Sequence, residues 1–133
     1  MTEFDELKQE YASGKLDHIK RDLEGFIKKH DIEIKRFVQK LNSKMHHKIS
    51  TDQGLRWYLI FSQTINTTSE SKDQLEEIKR EIWYRCEEGV KKPVDEIAKD
   101  WIAKHAAGWR DHRILQTIYA YTQESEKYLA LLK

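Results

Sequence analysis

The run LDHIKRDLEGFIKKHDIEIKRFVQKLNSKMHHK, residues 16–48, decides how this chain folds. Its apolar positions are Leu16, Ile19, Leu23, Phe26, Ile27, Ile34, Phe37, Val38, Leu41 and Met45, with charged residues filling the intervals. Steps of three and four mark one face of an α-helix, whereas a strand would alternate every second residue. The pattern predicts one helix from Leu16 to about Lys48, some 50 Å long at a rise of about 1.5 Å per residue. Gly25 inside it costs about 1 kcal/mol against alanine, which makes a local bend conceivable there. His30 falls on the apolar seam between Phe26, Ile27 and Ile34. A histidine in that place is a hydrogen-bonded core residue or sits at a bend; a pH-sensing or ligand-binding role is the sharper alternative.

Before this run, Thr2 with Asp5 three residues on has the spacing of a capping box, and Ser13-Gly14 has the composition of a helix end. After it, Ser50-Thr51-Asp52 is a start signal for a segment, Leu55–Ile65, that is apolar nearly all round. No partner strand is legible elsewhere, so the segment is read as a helix with Leu59 largely buried. Asn66 to Asp73 is polar and reads as a loop, with Ser71 and Gln74 capping the next helix. Leu75, Ile78, Ile82, Trp83, Cys86 and Val90 form the stripe of that helix, which reads Cys86 as a small core side chain. Pro93 suits a first helical position, and Val94, Ile97, Ala98, Trp101 and Ile102 continue up to an expected break at Gly108. A last helix after Asp111 carries Ile114, Leu115, Ile118, Tyr121, Tyr128, Leu129 and Leu132. The expected fold is all-α: a helical bundle of five or six helices with one long helix (about 16–48), in a single domain spanning 1–133.

Composition narrows the function classes. The chain has 133 residues, 38% hydrophobic and 35% charged, which is a thin core beneath a charged exterior. Net charge is +1, so no global field recruits nucleic acid or an anionic membrane. The longest apolar run, Trp57 to Phe61, is far below the roughly 20 residues of a membrane span. One cysteine, Cys86, cannot form an internal disulfide, and the acidic start Thr2-Glu3-Phe4-Asp5 is not a secretory leader. These features together predict a cytoplasmic protein with no membrane association.

Catalytic signatures are missing. The histidines His18, His30, His46, His47, His105 and His112 include none with a carboxylate three residues ahead, the spacing a carboxylate-bridged metal pair requires. Zinc would need tight ligand pairs that a single cysteine cannot complete. His46-His47 reads as charge at the negative end of a helix dipole. No nucleophile elbow or phosphate loop is present, and Glu87-Glu88 point to different helix faces. No catalytic residue, metal or cofactor is assigned, and the enzyme class is disfavoured.

Two groups remain as candidate sites. Trp83, Trp101, His105, Trp109, Arg110 and Arg113 concentrate the side chains most common at binding sites, and a helix start near Asp111 would add free backbone N–H groups to the two arginines. The plainer reading pairs those arginines with Asp100, Asp111 or acids on the neighbouring helix. Arg36, Lys40, Lys44 and Lys48 recur every four residues as a basic ridge that could follow a phosphate backbone, though an ordinary solvated face fits the near-neutral net charge better. No family pattern spans the chain. The leading expectation is a non-enzymatic helical-bundle protein acting through protein–protein contacts as a homodimer, or through an unidentified protein partner. Its motive is the aromatic surplus of Trp57, Tyr58, Phe61, Trp83, Tyr119, Tyr121 and Tyr128. The alternative is a small-molecule or anionic-ligand binder using the aromatic, His and Arg group; nucleic-acid binding by the ridge ranks last.

Overall fold

The computed structural model describes residues 2–44 and 48–132, and within them the chain is all-α. Among the described residues seven helices occur in order: α1 (Glu3–Ala12), α2 (Asp17–Lys29), α3 (Asp31–Lys44), α4 (Thr51–Ser62), α5 (Thr67–Glu87), α6 (Val94–Gln123) and α7 (Ser125–Ala130). They form two compact units, one of Met1–Ile65 with Ile114–Lys133 and one of Asn66–Arg113.

Local chemistry sets the ends of α1. The Thr2 hydroxyl accepts the Asp5 amide at 3.2 Å, and the Asp5 carboxylate accepts the Thr2 amide at 3.3 Å. That is the expected capping box, and it satisfies two donors the helix cannot use itself. At the other end Gly14 takes φ +83°, while the amides of Gly14 and Lys15 donate to the carbonyls of Tyr11 and Glu10. A glycine occupies the left-handed position because a Cβ there would be strained.

The long helix expected over 16–48 is divided. The His30 amide closes α2 on the Phe26 carbonyl at 3.0 Å, and the His30 carbonyl opens α3 by accepting the Ile34 amide at 2.9 Å. The bend therefore sits at His30 and not at Gly25. Side chains hold it: His30 Nδ1 lies 3.0 Å from Glu33 Oε2, the Tyr58 hydroxyl donates to that same oxygen at 3.0 Å, and the Phe26 ring packs on the imidazole at 4.4 Å. These hydrogen bonds, His30's first and Tyr58's next, hold the Glu33 carboxyl below its ordinary range. Dividing the run lets α3 lie against α4, with Tyr58 of α4 clasping the joint. Met45, His46 and His47, part of the expected helix and its histidine cap, lie outside the described residues.

In this first unit the core gathers Leu23, Phe26 and Ile27 of α2, Ile34 of α3, Leu55 and Leu59 of α4, Tyr121 of α6, and Tyr128 and Leu132 at the C-terminal end. Ser50 caps α4 by accepting the Gln53 amide at 3.1 Å, as its sequence predicts. Only Gly54, Leu55 and Leu59 of α4 are buried, whereas Ile60 and Phe61 are 43% and 69% exposed. The apolar segment is thus helical and central on one side only. Gly54 is where α4 meets α3: a Cβ there would lie 2.4 Å from Val38 Cγ2. Tyr121 ties α6 to the start of α4 by donating to Asp52 Oδ1 at 2.7 Å, and the Arg56 Nε donates to that same oxygen at 3.3 Å.

In the second unit, α5 begins earlier than its composition suggests. Asn66 caps it by accepting the Ser69 amide at 3.0 Å, so the Ser/Thr-rich stretch read as a loop is the first turns of a helix. The helix closes on Gly89 at φ +81°, with the amides of Gly89 and Val90 returning to Cys86 and Arg85. Pro93 then precedes α6, its carbonyl accepting the Glu96 and Ile97 amides. The expected break at Gly108 does not occur. One glycine in helical conformation costs only about 1 kcal/mol, and leaving the hydrogen-bond ladder would cost more. Among the described residues the helices number seven because the long run is halved, two expected helices merge into α6, and a turn at Glu124 separates α7.

Candidate functional site

Continuity through Gly108 sets the geometry of the aromatic cluster. Trp101, His105, Trp109 and Arg113 recur every fourth residue of α6 and so lie along one slowly drifting stripe. Trp101 is buried at 7% exposure, with its ring 6.0 Å from that of the exposed His105. The Arg113 guanidinium stacks 4.8 Å above the half-buried Trp109 ring. Arg113 is itself buried, and its Nη2 donates to Asp73 Oδ2 of α5. A guanidinium held in this way, one face on an indole and one edge on a carboxylate, is a structural tie between α5 and α6.

Arg110 is exposed and lies one turn before Arg113, off the line of this stripe. The anion site expected between Arg110 and Arg113 needed a helix start near Asp111. None exists there, since the residues on both sides belong to one helix and their amides serve its ladder. Arg113 is committed to Asp73, an acid on the neighbouring helix, as the plainer reading of the arginines has it.

Trp83 is set apart from the stripe in character. It stands 58% exposed on α5, and its ring meets that of Tyr84, 52% exposed, edge-on at a centroid distance of 5.1 Å. Tyr84 and Asp73 are the two residues the sequence reading leaves out. Tyr84 falls off the apolar periodicity of α5, and adjacency to an off-seam tryptophan is the only signal that marks it. Nothing in the sequence links Asp73 to Arg113, because forty positions separate them. Cys86, read as a core side chain, is exposed on α5 because the buried side of that helix runs through other positions.

Arg36, Lys40 and Lys44 are all exposed on α3, while Lys48 lies beyond that helix. Among the described residues no three His, Cys, Asp or Glu side chains are grouped to hold a metal ion, and no helix is long and apolar enough to cross a membrane.

No protein-family model, characterised protein or solved structure matches this chain.

Proposed function

We propose that this chain is a non-enzymatic protein-interaction module that pairs with a second copy of itself through the α5–α6 unit. The observation that carries this reading is the Trp83–Tyr84 pair, two contacting rings each more than half exposed. Aromatic side chains present about 150–250 Å² each, so this pair alone leaves roughly 200 Å² of ring surface in water. Leu75, about half exposed, and Cys86 lie within about 80° of Trp83 around the helix at 100° per residue, extending the surface along α5. Tryptophan and tyrosine are the side chains most enriched at the energetic centres of interfaces.

A second copy is the fitting partner because the unit is a two-helix element with few apolar residues to bury. Ile97 and Trp101 are its buried apolar side chains, while Leu75, Val94 and Ile102 stay about half exposed. Two such elements related by a two-fold axis complete a four-helix core that neither builds alone.

Light scattering on the full chain tests this. The expected mass is close to twice 16.0 kDa at micromolar concentration, returning to the monomer in Trp83→Glu/Tyr84→Lys. Phe61→Glu, on an exposed aromatic of α4, should leave the dimer intact. A wild-type monomer at every concentration overturns the proposal, as does a dimer broken by Phe61→Glu and indifferent to the α5 changes.

A further inference from the structure

A cleft of about 520 Å³ opens in the first unit, lined by Lys35 of α3, Thr51 at the start of α4, and Glu126, Leu129, Ala130 and Leu132 of α7 and its end. That volume lies inside the roughly 300–1,000 Å³ range of small-molecule sites. Leu132 is 6% exposed and belongs to the hydrophobic core, and Leu129 packs against that core, so the apolar floor is backed by fixed side chains.

Two opposite charges stand on the rim. Lys35 and Glu126 are both exposed, and among the described residues neither forms an ion pair with the other or with a third group. Thr51 adds a hydroxyl and marks the N-terminal end of α4, where the partial positive charge of the helix favours an anion on the side of the cleft that α4 forms.

From this arrangement we infer that the cleft is a binding site for a small zwitterion with an apolar side chain, an α-amino acid or the like. Its carboxylate goes to Lys35 and the Thr51 end, its ammonium to Glu126, and its side chain onto Leu129 and Leu132. A simple anion would meet the repulsion of Glu126, and a simple amine that of Lys35. An uncharged apolar molecule would leave both charges without a partner. The zwitterion alone answers all three walls. This site lies within the first unit and is independent of the pairing surface on α5.

The test is a titration of the full chain with L-leucine, followed by ¹⁵N–¹H NMR. N-acetyl-leucine, which lacks the ammonium, and leucinamide, which lacks the carboxylate, run in parallel. Leucine should give saturable shifts at Thr51 and along residues 126–132. Each capped analogue should bind at least about tenfold more weakly, the loss of one charge-assisted hydrogen bond. Lys35→Glu and Glu126→Lys are exposed replacements that should keep the fold, and each should abolish the leucine response. The charge-swapped pair Lys35→Glu/Glu126→Lys should recover part of it, because a zwitterion can reverse. No saturable shift with leucine overturns the inference, and so does equal binding of the capped analogues.

Discussion

Replacing Gly54 by alanine tests the packing that organises the first unit. The added methyl would lie 2.4 Å from Val38 Cγ2, 3.3 Å from its Cβ and 3.4 Å from its Cγ1, where carbon atoms rest at about 3.5–4.0 Å. Val38 is buried and β-branched, and inside a helix such a side chain holds one χ1 rotamer. Turning the side chain therefore cannot relieve the contact, and α3 and α4 must separate. Overpacking of this kind costs about 1–3 kcal/mol. Helix propensity works the other way, since alanine gains about 0.5–1 kcal/mol over glycine. The expected balance is a loss of up to about 2.5 kcal/mol. Gly25 and Gly108 provide the controls, because a Cβ at either meets nothing within 4 Å. Their alanine variants should gain stability by the propensity term alone. Urea titrations followed by far-UV circular dichroism, compared at a common slope, measure all three. Val38→Ala removes two methyl groups and should cost about 1.5 kcal/mol in the wild type. In the Gly54→Ala background it should cost about 1 kcal/mol less, because it also relieves the clash. A Gly54→Ala protein stabilised like the Gly25 and Gly108 variants would refute the close approach, as would two substitutions that simply add.

The same packing sets further outcomes. Leu59→Ala should lower stability by about 2–5 kcal/mol in the same urea assay, since Leu59 is 2% exposed inside the core, and a loss under about 1 kcal/mol would place α4 outside it. Asp73→Ala should destabilise the α5–α6 unit by about 1–3 kcal/mol, leaving the buried Arg113 guanidinium without that carboxylate. With Arg113 committed in this way, inorganic phosphate should leave tryptophan fluorescence unchanged, and a saturable response lost in Arg110→Ala/Arg113→Ala would restore an anion site. Burial pushes the Tyr121 and Tyr128 hydroxyls well above the ordinary tyrosine range, with Asp52 and Glu124 adding to it respectively. A raised folded-state value means the stability contribution is whole below about pH 10 and is lost as pH rises beyond it. Alkaline ultraviolet titration should therefore show these two ionising only with unfolding, and reversible ionisation of all six tyrosines of the native protein would contradict it. The Arg36, Lys40, Lys44 ridge should show no measurable binding to duplex DNA or RNA at physiological salt; submicromolar, salt-sensitive binding would reverse that expectation.

Features that rest on neighbouring residues were legible in the chain before any packing was known. Periodicity named the all-helical class, and the Thr2–Asp5 capping box, the Ser50 cap and the glycine end at Gly14 arise from groups a few positions apart. Leu59 was legible as core because its helix is apolar on both of its flanking turns. Other features depended on how the helices pack. The apolar spacing keeps its helical phase across His30, from Ile27 to Ile34, and the bend there is held by contacts the spacing does not show, among them the Glu33–Tyr58 hydrogen bond and the seating of α3 on α4 at Gly54. Gly108 looks like a break and is not one, because a single weak helix former cannot end a helix whose ladder is intact on both sides. The candidate site divides the same way. Residue types drew attention to Trp83, Trp109 and Arg113, but which of them are committed to structure and which stand in water depends on Asp73, forty positions from Arg113, and on the face that α5 turns outward. Spacing along a chain reports which side chains share a helix face; it carries no information on which face finds a partner.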